Sequence, residues 1–176
     1  MTLNTAAPSL AARLWHAGEH AIGALQHLQP LALLAARLYV GSVFFRSGLT
    51  KLRDWDITLA LFNDEYHVPL LDPTVAAFMG TGAELALPVL LVLGLFGRFA
   101  AAGLTILNIV AVLSLMDVPD AALMGHVFWG SLLLGLLLWG PGVISLDRFL
   151  VPRLRARVFG TNAAPAPHAP RVSRVA

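Results

Sequence analysis

The chain of 176 residues is 57% hydrophobic and only 12% charged, with a formal net charge of +2. Charged residues make up about 25% of a typical soluble domain, so this composition excludes an ordinary soluble domain and predicts a membrane-embedded one. The chain has no cysteine, which excludes disulfides, CxxC redox chemistry and thiolate metal sites built by this chain alone.

Residues 1–29 predict an amphipathic helix that lies on the membrane surface, with Pro8 and Ser9 as its start signal. His16 and His20 are four residues apart, but no acidic or cysteine partner completes a set of metal ligands. We therefore predict a solvated polar face and no metal site. The stretch lacks a continuous apolar core, so no cleavable signal peptide is expected.

Four apolar segments of near-spanning length follow within a predicted domain over residues 30–150. Backbone groups in lipid must be satisfied inside their own segment, so each segment is expected to be a helix. The predicted fold is all-α, an integral membrane four-helix bundle. The predicted spans are residues 31–49, 75–95, 99–116 and 121–139.

The distribution of cations predicts the orientation. Arginines occur in the N-terminal region, in the second loop and in the tail, whereas the third loop has Asp117 and Asp120 and no cation. The positive-inside rule then places both termini in the cytoplasm and the loops over residues 50–74 and 117–120 outside. We interpret the arginines of the basic, largely disordered tail (151–176) as topology signals, so no nucleic-acid partner is predicted.

The long first loop, residues 50–74, predicts a short helix over ITLALFNDEY, with Asp56 as its cap and Phe62 turned inward. Asp72 and Pro73 are expected to open the second span. This loop would cover the outer mouth of the bundle.

Several polar side chains fall inside or at the ends of the spans. Because an intramembrane charge costs roughly 2.5–3.5 kcal/mol on insertion scales, each needs a partner, a water-filled cavity or a route to the interface. The residues concerned are Arg37, Arg46, Lys51, Glu84, Asn108 and His126.

Side chains lean toward the N-terminus of their helix, which favours an Arg46–Glu84 pair over an Arg37–Glu84 pair. Arg37 is instead expected near the 140–149 segment. Pro88, four residues after Glu84, removes the hydrogen bond to the carbonyl of residue 84 and kinks the span beside this acid.

The functional interpretation is a polar pocket that opens outward and holds a quinone or another carbonyl-bearing amphiphile. Arg46, Glu84, Asn108 and His126 would line it. Structural interpretations remain open. Glu84 would form an ion pair that holds the bundle, Arg46 would extend to the outer headgroups, and Asn108 would hydrogen-bond a neighbouring helix. No second intramembrane histidine exists to pair with His126, so neither haem nor another covalent or metal cofactor is predicted.

From about Ala36 to Phe149 the chain resembles the DoxX family of small four-helix bacterial membrane proteins. The resemblance rests on ARLYVGSVFFRSGLTKL, on YHVP in the first loop, on AELALPVLLVLGLFGR and on GPGVISLD. The family pattern marks Arg37, Gly48, Lys51, Glu84, Arg98, Gly140, Gly142 and Asp147, and does not generally mark Arg46.

The resemblance implies a multi-pass protein of four helices in the bacterial cytoplasmic (inner) membrane. Some relatives are described as subunits of quinone-linked oxidoreductases, including thiosulfate:quinone types, or as membrane anchors for redox-stress enzymes. The leading hypothesis is therefore a membrane subunit of a quinone-linked redox complex whose partner protein, soluble or membrane-bound, carries the electrons. A small proton-coupled transporter and a purely structural membrane protein are the alternatives, and a homo-oligomer is left open. Arg98, Gly140, Gly142 and Asp147 are expected to be structural.

Overall fold

The computed structural model describes residues 9–115 and 118–160, and these residues form helices and no β-strand. The all-α prediction is therefore confirmed for this part of the chain. The helices are α1 (Leu10–Arg53), α2 (Trp55–Asp64), α3 (Pro73–Leu93), α4 (Gly97–Ser114), α5 (Asp120–Trp139) and α6 (Asp147–Phe159).

Four of these helices, α1, α3, α4 and α5, are long and apolar enough to cross a membrane. They contain the four segments predicted from the sequence, apart from shifts at the ends. Many large apolar side chains point outward, as expected for helices whose outer surface meets lipid rather than water. Examples are Leu38, Phe78, Val89, Phe99, Ile109 and Leu134.

Helix α1 is much longer than its spanning segment. The Ser9 hydroxyl accepts a hydrogen bond from the Ala12 amide at 3.3 Å, which confirms the predicted start signal. The helix continues through Pro30, although that residue lacks the backbone N–H of an uninterrupted helix. Residue 30 therefore does not separate two helices. Residues 10–29 are largely exposed, and their position on the membrane surface stays a prediction.

The four long helices form a ring in which α1 contacts α3, α3 contacts α4, α4 contacts α5, and α5 returns to α1. The apolar core fills the half of the ring nearest the α3–α4 turn. Its buried members are Val40, Phe44, Leu91, Ala100, Ala101, Leu104, Leu133 and Leu136. The other half of the ring is less tightly filled and carries the candidate site.

Helix α2 packs against α3 and the end of α1. Its cap is Asp54, whose side chain accepts a hydrogen bond from the Ile57 amide at 3.0 Å. The prediction of Asp56 as the cap was wrong, because α2 begins immediately after α1 and Asp56 already lies in its first turn. Phe62 is buried as predicted.

Asp72 caps α3 through the amides of Thr74 and Val75, with Pro73 as the first helical residue, so that prediction is confirmed. At the other end of the chain, residues 147–159 form α6, which takes in the first part of the segment predicted to be largely disordered. Asp117 and residues 161–176 lie outside the described residues.

Candidate functional site

A cavity of about 520 Å³ lies within the ring of long helices, in the half nearest α2. Apolar side chains form most of its wall, including Val43, Phe44, Met79, Ile106, Leu107 and Trp129. Its polar side chains are Ser47, Lys51, Tyr66, Glu84, Ser114 and His126. A largely apolar cavity with a few polar groups is the usual form of a small-molecule site.

Lys51 forms an ion pair with Glu84 across the α1–α3 contact. Its ammonium nitrogen lies 2.7 Å from Oε1 and 2.6 Å from Oε2 of Glu84. The Ser47 hydroxyl donates to Glu84 Oε1 at 3.1 Å and accepts from Lys51 at 3.1 Å. The lysine and glutamate side chains are only 20% and 11% exposed, so the charges compensate each other in a largely dry environment.

The predicted Arg46–Glu84 pair is absent, and Lys51 takes the place of the arginine. Arg46 is exposed and does not line the cavity, because it points away from the face of α1 that meets α3. Lys51 lies one helical turn after Ser47 on the α3-facing side. The sequence analysis placed Lys51 just beyond the span, whereas α1 continues unbroken to Arg53.

Gly48 permits this close contact between α1 and α3. A Cβ atom at Gly48 would lie 2.9 Å from the Leu85 side chain and 3.1 Å from Glu84 Cβ. The absence of a side chain therefore lets the two backbones approach until a lysine can reach the carboxylate. Thr58 of α2 bonds the Lys51 carbonyl at 2.8 Å and so attaches α2 to this end of α1.

Asn108 of α4 and His126 of α5 form a second polar pair. The amide nitrogen of Asn108 donates to the His126 carbonyl oxygen at 2.9 Å, and its Oδ1 lies 2.9 Å from His126 Nδ1. The imidazole also stacks edge-on against Trp129, with ring centroids 5.1 Å apart. His126 contributes to the cavity wall, whereas the buried Asn108 lies behind it.

Tyr66, in the segment between α2 and α3, is a cavity residue that the sequence analysis did not identify. Burial raises the pKa of its phenol above the ordinary tyrosine value, and the nearby Glu65 and Glu84 carboxylates add to this increase. The phenol is therefore a neutral hydrogen-bond donor at physiological pH. The YHVP motif, residues 66–69, was the one sequence signal for this segment. Ser47 was also missed, although its position one turn before Lys51 signals a shared face.

Arg37 lies far from the cavity lining, at the opposite end of the bundle. Its fully buried guanidinium donates to the Val92 carbonyl oxygen at 3.3 Å and to the Ile144 carbonyl oxygen. The position near the 140–149 segment agrees with the sequence analysis. A cation at the C-terminal end of α3 is also favoured by the helix dipole.

The same end of the bundle holds what we call the turn junction, residues 93–97 and 140–147. The Asp147 carboxylate accepts from the backbone amides of Phe96 and Gly97, both at 2.8 Å, and thereby caps α4. Arg98 donates to the Leu138 carbonyl oxygen at 3.1 Å. Positive φ angles of 81° at Gly140 and 78° at Gly142 shape the chain there. These contacts hold the helix ends together.

The structure thus sorts the residues singled out from the sequence. Lys51, Glu84 and His126 line the cavity, and Asn108 supports His126 from behind. Arg37 belongs to the turn junction and Arg46 to the outer surface. Within residues 9–115 and 118–160 there is no group of three or more His, Cys, Asp or Glu side chains arranged to bind a metal ion.

A family model named DoxX matches residues 32–117, which include α1 from Ala32 to Arg53 and all of α2, α3 and α4. An uncharacterized protein of Haemophilus influenzae is 32% identical over 129 residues, covering 68% of this chain and 83% of that protein. No solved structure is significantly similar.

Proposed function

Because the chain belongs to the DoxX family of membrane proteins, we propose that it is a membrane-embedded subunit or anchor of a quinone-linked redox complex. In this proposal the cavity holds a quinone or a lipid. The electron carrier belongs to a partner protein, soluble or membrane-bound, since the chain contains no cysteine with which to ligate a cluster.

The observation that carries the proposal is the cavity itself. Its volume of about 520 Å³ falls in the range of roughly 300–1,000 Å³ that is common for small-molecule sites. Its apolar wall suits a ring and an alkyl tail, and its polar groups suit the oxygen atoms of an amphiphile. A site between apolar helices also suits a ligand that dissolves in the bilayer.

The distribution of charge supports a proposed orientation. Helix α6 carries Arg148, Arg153, Arg155 and Arg157 directly after the last long helix. We propose that both termini lie in the cytoplasm of a bacterium and that the protein resides in its inner membrane. A reporter that is active only in the periplasm can be fused to the C-terminus. A signal from this fusion would contradict the proposed orientation.

Native mass spectrometry in mild detergent tests the proposed ligand. Ala111 lines the cavity, so Ala111→Phe places a ring inside it, whereas Ile109 on the same helix is 51% exposed and Ile109→Phe serves as the control. We expect a quinone-mass adduct on the unmodified protein and on the control, and its loss from Ala111→Phe. Absence of the adduct from all samples, including the unmodified protein, would contradict the proposal.

Co-purification tests the anchoring role in the same preparations. A redox protein retained by both the unmodified chain and the control supports the proposed complex. A chain that never retains a partner, and whose mass includes neither quinone nor lipid, favours a purely structural membrane protein.

One observation favours a proton-coupled transporter as the second candidate. Glu84 is a titratable group at the cavity wall, and Pro88 leaves the Glu84 carbonyl without its helical donor. If this candidate is correct, Glu84→Gln abolishes a pH-dependent flux in proteoliposomes. Absence of any flux with the unmodified protein would contradict it.

A further inference from the structure

Most polar groups of the cavity already have partners inside the protein. The Lys51 ammonium directs its donors to the two Glu84 oxygens and to the Ser47 hydroxyl. The Ser114 hydroxyl donates to the Val110 carbonyl oxygen at 2.6 Å. An ammonium has three donors and a hydroxyl has one, so these groups have no unused donor for a ligand.

Two cavity side chains retain a polar atom that has no hydrogen bond to the residues the structure describes. They are the Tyr66 hydroxyl and the Nε2 atom of His126. Which chemistry His126 offers depends on which of its ring nitrogens carries the hydrogen.

Asn108 decides the tautomer of His126. Its Nδ2 is placed against a backbone carbonyl oxygen, which can only accept, and this contact orients the amide. The other amide atom, Oδ1, therefore faces His126 Nδ1 at 2.9 Å, and it too can only accept. Nδ1 must then carry the hydrogen. In the neutral imidazole, Nε2 has a bare lone pair and is a hydrogen-bond acceptor.

The ring cannot readily rotate to exchange its two nitrogens. Asn108 holds it through both the side chain and the backbone of His126, and Trp129 packs edge-on against it at an interplanar angle of 73°. Asn108 is itself buried, and Gly130 on α5 leaves only enough room for its amide, since a Cβ there would lie 3.2 Å from Nδ2. The cavity therefore presents a preorganised acceptor.

We propose that His126 Nε2 accepts a hydrogen bond from a hydroxyl group of the bound amphiphile, so that the cavity preferentially holds the reduced, phenolic form of a quinone-class molecule. This inference rests on the proposed function. A hydroquinone presents an O–H donor, whereas the oxidised quinone presents only carbonyl acceptors. A carbonyl oxygen opposite the Nε2 lone pair would leave two acceptors facing each other without a hydrogen.

The test uses two probes that do not undergo quinone redox chemistry, 4-decylphenol and 4-decyltoluene, which differ by a hydroxyl in place of a methyl group. Their affinities for the purified protein in lipid nanodiscs are measured by isothermal titration calorimetry. One hydrogen bond predicts that the phenol-to-toluene affinity ratio is about tenfold higher for the unmodified protein than for a variant that lacks the acceptor. Comparison between protein variants cancels the partition of each probe into lipid.

His126→Asn is the informative variant. Its amide nitrogen can occupy the place of Nδ1 and keep the contact with Asn108, but no atom remains at the place of Nε2. We expect the preference for the phenol to disappear. Tyr66→Phe removes the other unpartnered polar atom of the cavity, the Tyr66 hydroxyl, and should leave the preference in place.

The outcomes distinguish failure of the proposed ligand site from failure of the inference about His126. The inference is overturned if the phenol-to-toluene affinity ratio is the same in the unmodified protein and in His126→Asn, or if Tyr66→Phe lowers the ratio as much as His126→Asn does. Binding of neither probe overturns the proposed ligand site and the inference with it. Binding of both probes with an affinity ratio that His126→Asn does not change leaves the site standing and removes only the acceptor role of His126.

Discussion

Replacement of Lys51 by methionine tests whether the Lys51–Glu84 pair holds α1 against α3. Methionine keeps most of the side-chain length and removes the ammonium, so the Glu84 carboxylate retains only the Ser47 hydroxyl at 3.1 Å. Breaking a buried ion pair from one side costs about 3–5 kcal/mol. Because the Lys51 side chain is 20% exposed and Ser47 remains, we expect a loss of about 2–3 kcal/mol in the free energy of unfolding.

The double variant Lys51→Met/Glu84→Gln should recover most of this loss, since no uncompensated charge is left next to Ser47. The coupling energy of the double-mutant cycle should be about 1.5–3 kcal/mol. Tryptophan fluorescence during unfolding by added SDS in mixed micelles measures all four free energies.

Arg46→Met is the matched control, because it removes the same charge from an exposed position on the same helix. Its effect should stay within about 0.5 kcal/mol. The reasoning is refuted if Lys51→Met destabilises the protein no more than Arg46→Met does, or if the coupling energy is zero.

Three further outcomes follow from the structure. Gly94→Ala should lower the free energy of unfolding by about 2 kcal/mol or more, because φ is 64° there and a Cβ would lie 2.5 Å from Ser145 Cβ. Gly82→Ala, whose Cβ would meet nothing within 4 Å, should instead be neutral or raise it by up to about 1 kcal/mol in the same SDS titration. Asp147→Asn should cost about 1.5–3 kcal/mol, because the amide NH2 that replaces one carboxylate oxygen cannot accept from a backbone N–H. An unchanged unfolding midpoint would contradict the capping role. In an absorbance titration compared with Tyr66→Phe, Tyr66 should ionise above the ordinary range, because burial raises its pKa. The stabilisation by the neutral Tyr66 phenol is then complete below the pKa of the unfolded state and is lost as the pH rises through the pKa of the folded state. Ionisation of Tyr66 at the ordinary tyrosine pKa would contradict the burial argument.

Local signals in the sequence account for most of the secondary structure. Apolar length alone identified the four long helices, because a backbone in lipid has few alternatives to a helix. Ser9 and Asp72 were recognised as caps, since a cap acts on amides two or three residues away. Asp54 and Asp56 are both possible caps of α2, and which of them caps the helix depends on where α1 ends.

The candidate site was predicted only in part. The sequence identified Glu84, Asn108 and His126 as polar side chains within the predicted spans. It did not identify the partner of Glu84. Arg46 and Lys51 are five residues apart, so their side chains point in different directions around α1, and no local signal shows which of them faces α3. Tyr66 enters the cavity from a connecting segment, which apolar periodicity does not place.

Composition, apolar length and cap chemistry by themselves indicated a membrane-embedded bundle of helices and the spans that carry its polar residues. These properties depend on neighbours along the chain and on the demands of lipid. Only the tertiary structure decided that Lys51 meets Glu84, that Asn108 orients His126, and that Arg37 and Asp147 serve the turn junction. Each of these contacts depends on how far and at what rotation two helices approach, which here depends on small residues such as Gly48 at the point of contact.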